Sequence, residues 1–273
     1  MSLTSYYCST PLSFELVYIV PNLYYTANMT HTFSIKEAIV FGWHKVKAHS
    51  QLVFAVVLTM FALQVTSSLV EKGLQGTATG AAASIVLAVL GIILGAGMTL
   101  VFLRLAKGEH AQYGDIVPKL GLVWRYFVVS LLTGLISLLP LMAGALVSLA
   151  LLVPTGAINF SEGTIVEGTP MILFVLAGLV MLAALCFAIY FAIRYSMARL
   201  AVLEGVDILE SLPKSAKLTH NIKRRLVLFA LAITGLNLLG LLALMVGLLV
   251  TIPVSILAFA HVYLKLKAHH GHN

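Results

Sequence analysis

The sequence predicts an all-α, polytopic membrane protein: six transmembrane helices in three hairpins, with amphipathic helices on the cytoplasmic side. Three observations predict it. Hydrophobic residues make up 60% of the 273 positions and charged residues 10%, against about a quarter charged in ordinary soluble domains. Mean hydropathy is +1.01. Long apolar stretches alternate with short polar ones, and every Lys and Arg except Lys72 falls on one predicted side.

Residues 1–28 differ from the rest. They are rich in Tyr and Ser, contain Pro11 and Pro21, and hold one short apolar piece, LVYIV, well below the ~20 residues a span needs. No basic segment precedes that piece, so it does not read as a secretory signal. The expected organisation is a non-native or disordered extension over 1–28, with the start at Met29, and one membrane domain over 29–273.

Residues 33–50 predict an amphipathic helix. Ser34 and Glu37 have capping-box spacing. Ile35, Ile39, Trp43 and Val46 recur on one face, and Lys36, Glu37, His44 and Lys47 on the other. Such a helix is expected to lie in the headgroup plane with Trp43 at the boundary.

Six spans follow, at about 52–70, 81–103, 127–153 and 171–193, with 226–266 divided in two. Gly91, Gly95 and Gly97 suit close helix contact in the second. Pro140 is expected to kink the third rather than end it. The 41 residues of 226–266 would reach roughly 60 Å as one helix, about twice the bilayer core. A turn near 244–247 is the expected break.

The loops set the orientation. Lys36, Lys45 and Lys47 precede the first span. Arg104, Lys107, Lys119 and Arg125 join the second to the third. The longest polar stretch, 199–225, joins the fourth to the fifth, and Lys265 and Lys267 close the tail. The positive-inside rule then puts both termini in the cytoplasm, in a multi-pass protein of a bacterial inner membrane. This topology accounts for the net charge of +7, so no nucleic-acid partner is expected.

The three cytoplasmic stretches share a pattern. Ser34-Ile35, Asp115-Ile116 and Asp207-Ile208 each read as a helix cap followed by an apolar residue. Five positions after the cap residue come Ile39, Leu120 and Leu212; nine after come Trp43, Trp124 and Ala216. The expectation is a parallel threefold repeat of one amphipathic helix and two spans, with equivalent caps.

The third stretch carries a resemblance. Arg199-Leu200-Ala201-Val202-Leu203-Glu204-Gly205, then Ser215-Ala216-Lys217-Leu218-Thr219, resembles the hallmark of the membrane domain associated with glycerophosphoryl diester phosphodiesterases and of related six-helix bacterial membrane proteins. The resemblance is clearest from Arg199 onward. It implies a six-span fold and singles out Arg199, Glu204, Ser215 and Thr219. Ala216 stands where that family usually has Trp. Seven residues follow Leu266, so the activity of that family's phosphodiesterase barrel is not carried over.

Chemistry inside a bilayer normally uses ionisable groups within the spans. No Asp, Glu, Lys or Arg falls mid-span here, which argues against a carboxylate relay or ion-coupled transport. Gln64, Thr99, Asn237 and His261 are the polar residues at depth. Asn237 and His261 are the intramembrane candidates, with a hydrogen bond to a neighbouring helix as the favoured role. Lys223, Arg224 and Arg225 directly precede a span and suit anionic headgroups, each charge worth about 1 kcal/mol near the surface. Together with Trp43 and Trp124 they form the candidate lipid-contacting set. The terminal His269, His270 and His272 read as a solvated tail rather than a metal site, and no cofactor is expected. No P-loop, GxSxG, HExxH or dinucleotide glycine pattern occurs. The expected role is non-enzymatic, in envelope or lipid-related maintenance, with membrane lipid as partner. The alternatives are passive transport of an apolar or amphipathic substrate and lipid modification.

Overall fold

The computed structural model describes residues 33–153, 158–159, 164–165, 170–220, 222–243 and 247–271. The expectations for 1–28, for most of the 154–169 loop and for His272 lie outside them.

The architecture is all-α and includes six helices long and apolar enough to cross a membrane. Helix α1 (Ile35–Ala48) leads into α2 (Ser50–Gly73), which forms a hairpin with α3 (Ala78–Lys107). A 3-10 turn at Tyr113–Ile116 precedes α4 (Leu120–Leu152). A two-residue antiparallel pairing, Ile158–Asn159 with Thr164–Ile165, lies between α4 and α5 (Met171–Tyr195). Two short helices follow, α6 (Ala198–Leu203) and α7 (Ile208–Thr219), then the last hairpin, α8 (Lys223–Leu242) and α9 (Leu248–Gly271). Helix α4 runs through Pro140 unbroken and begins seven residues earlier than the apolar pattern suggests.

Helix α9 is the axis of the bundle. It packs on α1, α2, α3, α7 and α8. Half of its apolar window is buried, against 28% or less in every other span. Leu257, Ala258, Val262 and Tyr263 are fully enclosed. A second, smaller core joins Val129 of α4 to Ala198 and Val202 of α6, with Ile208 and Leu212 of α7 against it.

Helix α1 docks by a face rotated from the one the sequence suggests, with Val46 and Ile39 still against the core. Its buried stripe is Ala38, Gly42 and Val46, while Trp43 faces outward, 42% exposed. The reason is close approach. A Cβ on Gly42 would stand 2.5 Å from the Val254 carbonyl oxygen, so only small side chains let the two backbones meet. Of Gly91, Gly95 and Gly97 in α3, Gly97 alone is pressed, against the Ile116 backbone of the 3-10 turn rather than against a helix.

The threefold repeat does not hold. Ser34 and Asp207 occupy cap positions, but neither side chain caps. Glu37 also leaves the capping box and turns to Lys265, 2.5 Å away. Asp115 lies inside the 3-10 turn, its carboxylate taken by Arg104 at 2.6 Å and by the Gln112 amide at 2.9 Å. Pro118 follows closely; it lacks an N–H and disfavours helical geometry in the residue before it, so no amphipathic helix forms there. Trp124 therefore sits on the membrane helix α4, whereas Trp43 sits on the separate α1.

Candidate functional site: the charged end of the bundle

The polar side chains gather at one end of the bundle, around Glu204. Two helices finish there in the same way. Helix α3 ends at Gly108, φ +78°, with the Glu109 amide donating to the Arg104 carbonyl and Gly108 to Leu105. Helix α6 ends at Gly205, φ +91°, with Val206 donating to Ala201 and Gly205 to Val202. Both are Schellman ends, in which a left-handed glycine lets the chain fold back onto its last carbonyls. The residue before each glycine is charged: Lys107 in one, Glu204 in the other.

Those two residues meet. Lys107 Nζ lies 2.8 Å from Glu204 Oε1, an ion pair whose angles fall outside hydrogen-bond geometry. The other oxygen, Oε2, accepts from Lys267 Nζ at 2.6 Å and from the Tyr263 hydroxyl at 2.7 Å. The Glu204 side chain is only 4% exposed. Burial pushes its carboxyl upward, but the contacts with Lys107, Lys267 and Tyr263 outweigh that and hold it below the usual value. The arrangement ties α3, the α6–α7 junction and α9 together through one carboxylate.

Ser215 and Thr219 act on a helix break. The fourth span stops at Tyr195 and resumes as α6 at Ala198. Ser215 Oγ accepts the Met197 amide at 3.2 Å and donates to the Arg194 carbonyl at 2.9 Å. Thr219 Oγ1 reaches the same carbonyl at 3.1 Å. Both side chains are fully buried. They replace backbone partners that a continuous helix would supply.

The remaining candidates separate. Arg199 and Arg224 are exposed, and Arg225 projects from the same first turn of α8 as Arg224 and Lys223. Lys223 Nζ contacts the Tyr190 hydroxyl at 3.1 Å and lies 4.8 Å from its ring centre. Trp124, 62% exposed, leans on Phe127, and Lys47 lies over the Trp43 ring. Asn237 Oδ1 accepts from Ser255 Oγ at 3.2 Å, a contact between α8 and α9. His261 falls within the last apolar span, Leu248–His269. It sits one turn before Lys265, stacks on Phe41 of α1 at 4.2 Å, and has Nε2 3.8 Å from Glu37.

Sequence reading reached Glu204, Ser215 and Thr219 but missed Lys107, Tyr263 and Lys267. A signal was present: Arg104-Leu105-Ala106 and Arg199-Leu200-Ala201 are the same triplet, each shortly before a charged residue and a glycine. Among the described residues no three His, Cys, Asp or Glu side chains converge as a metal site. No family model, curated protein or solved structure matches the chain.

Proposed function

We propose that this chain is a non-enzymatic protein of a bacterial inner membrane, acting in envelope or lipid-related maintenance through contact with anionic headgroups at its charged end. Both termini face the cytoplasm in this reading, and the chain is related to the membrane domain associated with glycerophosphoryl diester phosphodiesterases. The observation that carries it is the state of Glu204. The most enclosed acid of the charged end is committed to Lys107, Lys267 and Tyr263, and so holds spans together instead of facing a substrate. Exposed cations, Arg199 and Arg224 among them, stand outside that knot and suit a negative leaflet. The resemblance over residues 199–219 and the placement of basic residues add support.

Two measurements test it. Purified protein in vesicles of labelled phospholipid should release no product; steady turnover would replace this reading with a lipid-modifying enzyme. Single cysteines at Lys119 and Lys217 should be labelled from the cytoplasm and one at Glu162 from outside; the reverse pattern would overturn the orientation.

A further inference from the structure

At the charged end most pairings set a cation against a carboxylate: Arg104 with Asp115, Lys107 and Lys267 with Glu204, Lys265 with Glu37. One cluster departs from this. The Tyr190 hydroxyl accepts from Arg194 Nη1 at 3.0 Å and from Lys223 Nζ at 3.1 Å. Two cations from different helices thus converge on one neutral oxygen. Among the described residues neither forms an ion pair with a carboxylate.

Like charges brought together without a counter-charge repel. The fold nevertheless fixes them. Arg194 is anchored by its own carbonyl, which Ser215 and Thr219 hold at the helix break. Lys223 is the first residue of α8, whose cap residue, Ile222, offers no side-chain acceptor to the first amides. A helix start adds partial positive charge. With its oxygen accepting from both cations, the Tyr190 hydroxyl keeps its own hydrogen to donate. Tyr190 is 37% exposed, so the cluster opens outward where span four ends and span five begins. A guanidinium, an ammonium and a hydroxyl donor around one point match the oxygens of a phosphate.

We propose that Tyr190, Arg194 and Lys223 form a binding site for the phosphate of an anionic phospholipid. The proposal rests on the membrane-lipid reading above and narrows it to one site.

The test is native mass spectrometry of the full-length protein in detergent, titrated with phosphatidylglycerol and, separately, phosphatidylcholine. The protein should retain phosphatidylglycerol in preference. Tyr190→Phe, Arg194→Gln and Lys223→Gln should each weaken that binding about tenfold, as loss of a hydrogen bond to a charged group implies. Lys217→Gln, an equal charge change on an exposed residue of α7, should weaken it less than about threefold. Tyr190→Phe alters no charge, so its loss cannot come from a weakened general field. Lys223→Arg should restore most of the affinity. If Tyr190→Phe binds normally and Lys217→Gln loses as much as Lys223→Gln, the site is overturned, while general attraction to anionic lipid, and with it the proposed function, stands. If the unaltered protein shows no preference for phosphatidylglycerol, both fall. Displacement of the lipid by inorganic phosphate would make this a site for a soluble anion and overturn the lipid assignment. Gel filtration identifies any variant that misfolds; should Arg194→Gln do so, the Tyr190 and Lys223 variants decide the matter.

Discussion

Lys107 and Glu204 occupy the same position in two helix ends, each directly before a left-handed glycine, and their side chains meet at 2.8 Å. The two glycine ends aim the charges, and the pairing joins the first hairpin to the stretch that follows the second. The partners are unequal. Glu204 is 4% exposed, Lys107 28% and Lys267 45%.

That inequality predicts the cost of losing each. Glu204→Ala leaves the Lys267 ammonium and the Tyr263 hydroxyl without their acceptor and Lys107 with only Glu109, 3.7 Å away, and should cost about 3 kcal/mol. Lys267→Ala should cost about 1 kcal/mol or less, since solvent screens a half-exposed lysine. Unfolding in mixed micelles measures both. Equal costs would show that Glu204 is not the centre of the cluster.

Ser215 and Thr219 share one carbonyl, that of Arg194. Ser215→Ala should cost about 1–3 kcal/mol, because the Met197 amide loses its acceptor. Thr219→Val should cost less, because the carbonyl keeps Ser215. Only the double variant orphans the carbonyl, so its cost should exceed the sum of the singles. A double-mutant cycle that adds without remainder would refute the sharing.

Gly42→Val should lift α1 from α9. The new side chain would meet the Val254 carbonyl, and overpacking of this kind costs about 1–3 kcal/mol. With Cys8 and Cys186 replaced by Ser, a cysteine at Val46 is buried and should resist a water-soluble maleimide, then become reactive in the Gly42→Val background. Gly121→Val, where a Cβ meets nothing within 4 Å, should leave it protected. Equal protection in both would place the helix contact elsewhere.

Acid should loosen the charged end. Glu204 is held below its ordinary value of 4.5 by Lys107, Lys267 and Tyr263 against the opposing effect of burial. Asp115 is held below 3.8, first by the Gln112 amide and then by Arg104, again against burial. A carboxyl that binds its proton less readily when folded stabilises the folded state fully above its unfolded value. That stabilisation drains away as pH falls through the lower, folded value. The melting temperature should therefore hold from about pH 7 to about pH 5 and drop below it. Glu204→Gln should start lower and fall less. A variant that keeps the full acid dependence would assign it to other groups.

The spans were legible because hydropathy and length alone determine them, and the α8–α9 break fell where twice the bilayer thickness required it. The capping pattern misled because it is only a few residues long. Asp115 has the spacing of a cap, but Pro118 denies it a helix and Arg104 claims its carboxylate. Glu204 was singled out by the resemblance that residues 199–219 carry. Its partners did not, because Lys107 and Lys267 read as ordinary positive-inside residues and Tyr263 as the end of a span. The same blindness covers Arg194 and Tyr190. The sequence shows what each residue is but not that one phenol collects two cations from helices 28 positions apart in the chain.

Helix α9 as the axis has a consequence for biogenesis. The ribosome delivers spans in order, and this one comes after the other five. Until it arrives, α1 lacks the Val254 backbone that its Gly42 meets, and Glu204 has Lys107 but neither Lys267 nor Tyr263. The earlier spans must therefore persist in the bilayer with their packing incomplete, each helix stable by its own hydrogen-bonded backbone, and the bundle closes on the arrival of α9. A nascent chain stalled before residue 248 would hold five inserted spans without the helix that draws them together.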